Sequence, residues 1–158
     1  MPSSIKNLYQ RALQVCTRLE GIGPLAVRLI VGVAFFFDGW GKLGNLEKVT
    51  DYFGSDLHIP FPHANAVFVS TVELVGGALL VVGLGTRIAA LLLAGTMAVA
   101  FLTAILPHAD SIIDLFSTIE LTYLAIFVWL IVGGAGPISI DHLLSRRGHA
   151  GPQVGEPA

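Results

Sequence analysis

Charged residues are scarce in this chain of 158 residues: Asp, Glu, Lys and Arg make up 13% of it, against roughly 25% in an ordinary soluble domain. Hydrophobic residues make up 54% of the sequence. So few charges cannot cover the surface of a soluble protein, and the composition therefore indicates a single-domain integral membrane protein. The net charge of −2 and the lack of a basic cluster argue against a nucleic acid partner.

Cysteine is almost absent as well. The chain has one cysteine, Cys16, which excludes an intramolecular disulfide and the paired thiols of a C-x-x-C redox motif. No haem, flavin or thiol motif is visible, so no bound cofactor is predicted. In any redox reaction of this protein, the electrons would have to come from a partner or a bound donor.

Four long apolar stretches fill most of the sequence. Each is about 20 residues long, the length at which an α-helix crosses the hydrocarbon core of a bilayer. We therefore predict an all-α fold, a four-helix membrane bundle within residues 1–147, embedded in the lipid bilayer. A tail rich in Gly and Pro, residues 148–158, is predicted to be disordered. The predicted spans are residues 23–43, 64–84, 87–106 and 117–136.

Two short helices are predicted outside the spans. In the first loop, Leu46, Val49 and Phe53 follow the i, i+3, i+7 spacing of an amphipathic helix. After the last span, Ser139 precedes a short helical pattern that it could cap.

Basic residues are distributed unequally between the two ends of the predicted bundle. The third loop, residues 107–116, has no Lys or Arg, and the first loop region holds only Lys42 and Lys48. The positive-inside rule then predicts a multi-pass membrane protein with both termini in the cytoplasm. The basic residues on the predicted cytoplasmic side are Lys6, Arg11, Arg18, Arg28, Arg87, Arg146 and Arg147.

Ionisable residues inside the spans are the candidate functional residues, because charge in hydrocarbon is costly. Glu73 is the sharpest candidate, since it lies about 13 Å into its helix and needs a partner there. Asp38 and Lys42 share a helix face and could approach Glu73 from the outer half of the membrane. Arg28 could approach it from the cytoplasmic half.

We therefore predict a buried charged network that lines a binding pocket near the outer face. Two structural roles stay open: Lys42 could extend to the membrane surface, and Glu73 could only fix helix packing. The predicted members of the network and pocket are Arg28, Asp38, Trp40, Lys42, Glu73 and Glu120.

Arg87 and three histidines lie outside this network. Arg87 begins the third span at the predicted cytoplasmic surface, where we expect it to bind lipid headgroups or to cap the second span. His58, His63 and His108 all fall on the predicted outer side. Their spacing matches no ligand motif, so no metal site is predicted, although they are the weak candidates for one.

Three parts of the sequence resemble the DoxX family of small, four-span bacterial and archaeal membrane proteins. Residues 37–43, Phe-Asp-Gly-Trp-Gly-Lys-Leu, resemble the motif that ends its first span, although Asp38 stands where the family usually has histidine. Residues 73–80 with 83–90 resemble its central signature, and residues 134–141 resemble its closing pattern. Glu120 falls where the family often has an acidic residue.

The resemblance implies a protein of the bacterial inner membrane with a redox function, since family members are similar to subunits of thiosulfate:quinone oxidoreductase. Our first hypothesis is a redox-linked subunit whose pocket handles a quinone or a small sulfur compound, with a soluble or membrane oxidoreductase as partner. Whether the chain is itself an enzyme is open, and so is a homo-oligomeric state.

The alternative hypothesis is a non-enzymatic assembly or transport partner of an oxidoreductase or of a metal-binding peptide system. Other family members are linked to oxidative-stress complexes and to operons for copper-binding modified peptides. Ion transport is the least supported hypothesis, because the third span offers only Thr96 and Thr103 in its core.

Overall fold

The structure is a computed structural model, and it describes residues 21–148. The predictions made for Cys16, for Lys6, Arg11 and Arg18, and for the tail beyond residue 148 lie outside the described residues. Within residues 21–148 there is no strand, and helices make up nearly all of the structure. The predicted all-α membrane fold is confirmed.

Four long helices form the bundle, and three short helices lie at its ends. Both short helices predicted outside the spans are present, as α2 and α7. Helix α2 continues as a π-helical turn, Tyr52–Asp56, and α4 continues as a π-helical turn, Phe101–Ile105, and a 3₁₀ turn, Leu106–His108. The helices are α1 (Ile22–Gly44), α2 (Leu46–Asp51), α3 (Pro62–Val82), α4 (Thr86–Ala100), α5 (Ile112–Phe116), α6 (Ile119–Gly133) and α7 (Ile140–Gly148).

Three helical segments in the described part are long and apolar enough to cross a membrane: α1, α3 and α4 with its continuation to His108. Helix α6 is shorter than the predicted fourth span, with 15 residues and a length of about 22 Å. It begins after Thr118 because the chain is extended there, and a separate helix, α5, precedes it. It ends before Gly134, whose φ of 75° is accessible mainly to glycine.

Helices α1 and α3 make the most extensive contact between described helices. Their backbones meet at glycines. A Cβ atom on Gly39 would meet the carbonyl oxygen of Ser70 and the backbone nitrogen of Leu74, and one on Gly77 would meet the backbone of α1 in the same way. Small residues allow this close approach between membrane helices. The contact fixes the register between α1 and α3.

The end of the bundle where α1 begins is called the terminal end here, and the opposite end is called the cavity end. At the terminal end, Asp141 of α7 accepts hydrogen bonds from the backbone N–H groups of Gly85 (2.7 Å) and Thr86 (2.9 Å). The carboxylate thereby caps the start of α4, where a negative charge is favoured. Helix α7 is thus tied to the α3–α4 turn.

Gly39→Ala should lower the free energy of unfolding by about 1–3 kcal/mol, because its methyl group overlaps backbone atoms of α3 that cannot move aside. Reversible unfolding in detergent micelles measures the change. The matched control is Gly41→Ala, since a Cβ at Gly41 meets no atom within 4 Å. Equal stability of the two variants would contradict the glycine contact.

Candidate functional site

A cavity of about 990 Å³ lies at the cavity end of the bundle. Its size suits a small organic ligand. All four long helices contribute to its wall, and α2 with its π-helical turn contributes the aromatic residues Tyr52 and Phe53. Most of the wall is apolar, and the charged side chains that line it are Asp38, Lys42, Lys48, Glu73 and Glu120.

Lys42 binds two carboxylates in the wall of this cavity. Its Nζ donates to both carboxylate oxygens of Glu73, each at 2.7 Å, and lies 2.9 Å from Oδ2 of Asp38. The side chain of Glu73 is 0% exposed, whereas that of Asp38 is 56% exposed. The structure therefore brings together Asp38, Lys42 and Glu73, as the helix-face argument predicted.

The glycine contact explains why these side chains reach each other. Gly39 lies one turn before Lys42 on α1, and it packs against Ser70 and Leu74, which flank Glu73 on α3. Because the two backbones approach closely there, the Lys42 side chain spans the remaining distance to Glu73 while it also contacts Asp38. A local sequence feature thus sets the geometry of the charged cluster.

Glu120 and Tyr123 line the wall that α6 contributes. They are three residues apart, so they share a helix face. Tyr123 packs edge-on against the ring of Phe35, with centroids 5.0 Å apart. Within the described residues, neither the Glu120 carboxylate nor the Tyr123 hydroxyl has a hydrogen-bond partner. Both groups are therefore available to a ligand.

Arg28 does not belong to this cluster, and its predicted contact with Glu73 is wrong. The guanidinium group is buried, with 1% of the residue exposed, and lies at the terminal end. It donates hydrogen bonds to the carbonyl oxygens of Leu80 (3.0 Å), Ile138 (3.1 Å) and Ala135. Its partners are thus a carbonyl in the last turn of α3, which lacks a partner within its own helix, and two carbonyls of the segment between α6 and α7.

Trp40 and Arg87 also differ from their predictions. Trp40 is 64% exposed, stacks on Phe36 and is not part of the cavity wall, because it lies on another face of α1. Arg87 caps α6 rather than the second span: its guanidinium donates to the carbonyl oxygen of Val132 at 3.3 Å. It remains exposed at the terminal end, so contact with lipid headgroups stays a prediction.

The three histidines are not brought together. The ring of each histidine lies within hydrogen-bonding distance of a different group. His58 is close to the Asp56 carbonyl, His63 to the Thr50 hydroxyl and His108 to the Ala104 carbonyl. Among residues 21–148, no group of three or more His, Cys, Asp or Glu side chains could hold a metal ion.

Sequence reasoning missed three features of the structure. The spacing of Leu46, Val49 and Phe53 predicted α2 but not that it covers the cavity. The closing motif contained Asp141, but its contact with the start of α4 was not foreseen. Lys48 lines the cavity from α2, and nothing in the local sequence distinguishes it from an ordinary surface lysine.

Lys42→Met should lower the free energy of unfolding by about 3–5 kcal/mol, because it leaves the Glu73 carboxylate buried without its cationic partner. The double variant Lys42→Met/Glu73→Leu should be more stable than this single variant. Reversible unfolding in micelles measures the stability of both variants. Together with wild type and the single variant Glu73→Leu, they yield the coupling energy between Lys42 and Glu73.

Lys48→Met is the matched control, since Lys48 is exposed and forms no ion pair with a described residue. Independent, additive effects of the Lys42 and Glu73 substitutions would show that the pair does not form.

Comparison with known proteins agrees with the fold. Residues 23–106 match the family described as DoxX. The "Putative oxidoreductase CatD" of Bacillus subtilis (strain 168) is 39% identical over 82 residues, which are 52% of this chain and 59% of that protein. The "Inner membrane protein YqjF" of Escherichia coli (strain K12) is 32% identical over 136 residues, or 82% of this chain and 98% of that protein.

No solved structure matches the chain significantly. The likeness to an inner membrane protein, together with the apolar helices, supports a location in the bacterial inner membrane. Because the matched family region covers more than half of the sequence, the family assignment stands. The chain belongs to the DoxX family of membrane proteins.

Proposed function

We propose that this protein binds the ring of a quinone in its cavity and acts as the membrane subunit of a redox system. The observation that carries the proposal is the Asp38–Lys42–Glu73 cluster in the wall of a mostly apolar cavity. A ligand that fits such a wall must be polar at one end and apolar over the rest. Quinones have this character.

The arrangement can supply protons to a bound quinone. Reduction of a quinone to a quinol consumes two electrons and two protons. In our proposal the electrons come from a partner oxidoreductase, either soluble or in the membrane, and the two protons come from water and pass one at a time through side chains of this chain. Glu120 faces the cavity and has no partner among residues 21–148, so its carboxyl group can pass a proton to a ligand oxygen and take up another from water.

Lys42 can hold the other end of the ring. Its ammonium group has three N–H donors, and one of them faces Asp38, which is more than half exposed. When the Asp38 carboxylate moves away from the ammonium, that donor is free for a quinone oxygen, while Glu73 keeps the ammonium in place.

Charge favours a quinone over a small anionic sulfur compound. The cavity is lined by the carboxylates of Asp38, Glu73 and Glu120 and by two ammonium groups. The formal net charge of these side chains is therefore negative, which repels an anion and leaves a neutral ring unaffected. The relative named an oxidoreductase is consistent with redox chemistry but says nothing of a substrate.

A second candidate function is a non-enzymatic assembly or transport partner. One observation favours it: Lys42 and Glu73 satisfy each other within the protein, so the cluster can hold α1 against α3 without a ligand. In that case the charged cluster stabilises the bundle, and the functional surface lies elsewhere on the protein.

We further propose that the cavity end faces the outside of the cell. The terminal end carries Arg28, Arg87 and Arg146, and the residues that connect the long helices at the cavity end include Asp51, Asp56 and Asp110. The positive-inside rule places the basic end in the cytoplasm. A quinone in this cavity would then exchange protons with the outer surface.

Purified protein in lipid nanodiscs should bind a ubiquinone analogue with a decyl tail, and Glu73→Gln should weaken binding by about tenfold or more. Without the charge of Glu73, Lys42 is no longer held where it can donate to the quinone oxygen. The affinity should fall because a hydrogen bond to a charged group contributes about 1.5–3 kcal/mol. Equilibrium dialysis measures the affinity.

Glu47→Gln serves as the control, since Glu47 is exposed on α2 and does not line the cavity. Equal affinity of wild type and Glu73→Gln would show that Glu73 is not part of the binding site. Absence of quinone binding, with co-purification of another membrane or secreted protein, would favour the assembly partner.

A further inference from the structure

Helix α4 and the π-helical turn that follows it line the cavity from Leu91 onwards. The residues that they contribute begin at Leu91 and end at Ala104, in the π-helical turn. At a rise of about 1.5 Å per residue, this face is on the order of 20 Å long. Its side chains are apolar except for Thr96 and Thr103, whose hydroxyls donate to carbonyls of their own helix.

The same face of α4 also reaches the outer surface of the bundle. Leu91, Leu92 and Val99 line the cavity, yet they are 61%, 48% and 50% exposed. They lie in a segment that is long and apolar enough to span a membrane. We therefore expect this surface to face lipid and the cavity to open to the hydrocarbon phase along α4.

Gly95 lies in the middle of this face, and packing does not explain it. A Cβ atom on Gly95 would meet nothing within 4 Å, whereas one on Gly39 or Gly77 would overlap the backbone of a neighbouring helix. Glycine in a helix interior is unfavourable relative to alanine. What Gly95 provides is empty space in the wall of the cavity.

We infer that the face of α4 from Leu91 to Ala104 is a groove for the long hydrocarbon tail of the ligand, which enters from the bilayer, and that Gly95 makes room for the tail. This inference rests on the proposed quinone function and names its substrate class as a long-tailed, membrane-soluble quinone. The ring lies against Lys42 and Glu73, which α1 and α3 contribute, and the tail follows α4 towards lipid.

A hydrocarbon tail gains little when it moves from lipid to protein, because lipid is as apolar as the groove. The groove therefore selects its ligand by the room that it offers. A bulky side chain at position 95 should exclude the hydrocarbon tail without disturbing the quinone ring. Gly95→Phe should weaken binding of the decyl ubiquinone analogue by about tenfold or more. The affinity for the same ring without a tail should change less than about twofold.

Equilibrium dialysis with both quinones, on protein in nanodiscs, tests the groove. The controls are Gly95→Ala, which should bind both quinones as wild type does, and Gly41→Phe, because Gly41 has free space around it but does not line the cavity. If Gly95→Phe is not stable enough to purify, Gly95→Leu replaces it with the same expected contrast.

The outcomes separate the groove from the proposed function. Selective loss of the decyl analogue in Gly95→Phe supports the groove. Unchanged affinity for both quinones, or equal loss of both, overturns it while quinone binding stands. Wild-type protein that binds neither quinone overturns the proposed function and the groove together.

Discussion

An ammonium group shared by two carboxylates, inside a bundle of apolar helices, is the interaction on which this structure depends. Each of these charges alone would be costly in hydrocarbon. Lys42 lies within hydrogen-bonding distance of Glu73 and Asp38, so no charge in the cluster is left without a partner. The pairing requires that α1 and α3 approach closely, and Gly39 and Gly77 make that approach possible. The pairing of the buried charges therefore depends on the small residues that bring α1 and α3 together.

The two ends of the bundle use their polar groups differently. At the terminal end, Arg28 binds backbone carbonyls and Asp141 binds backbone N–H groups, so α7 and the ends of α3, α4 and α6 are tied together. The polar side chains there form hydrogen bonds with backbone groups at the helix ends. At the cavity end, Glu120 and Tyr123 have no such partner among the described residues, and a cavity separates the helices. The terminal end is therefore suited to stability, and the cavity end to a ligand.

Hydropathy and helix periodicity were enough to predict the helical membrane fold and the pairing of Asp38 with Lys42. Glu73 could be placed near them because a carboxylate so far inside a span needs a basic neighbour. The partners of Arg28 could not be predicted, since backbone carbonyls at helix ends carry no sequence signal. The same holds for Asp141, whose N–H partners lie more than 50 residues away in the chain. Helix α6 is shorter than the predicted fourth span at both ends, because the backbone is extended at Thr118 and leaves the helix at Gly134. Gly95 stood out only once the space around it was known.

The central claim is that the Lys42 ammonium lies between α1 and α3 and binds Glu73 at the edge of an occupied cavity. An experimental structure of the protein in its native lipids, extracted without detergent, tests this most directly. The account predicts density joining Lys42 to both carboxylates, with elongated density that runs from Glu73 along α4. It would be contradicted by a Lys42 side chain extended to the membrane surface and a Glu73 carboxyl group that faces lipid.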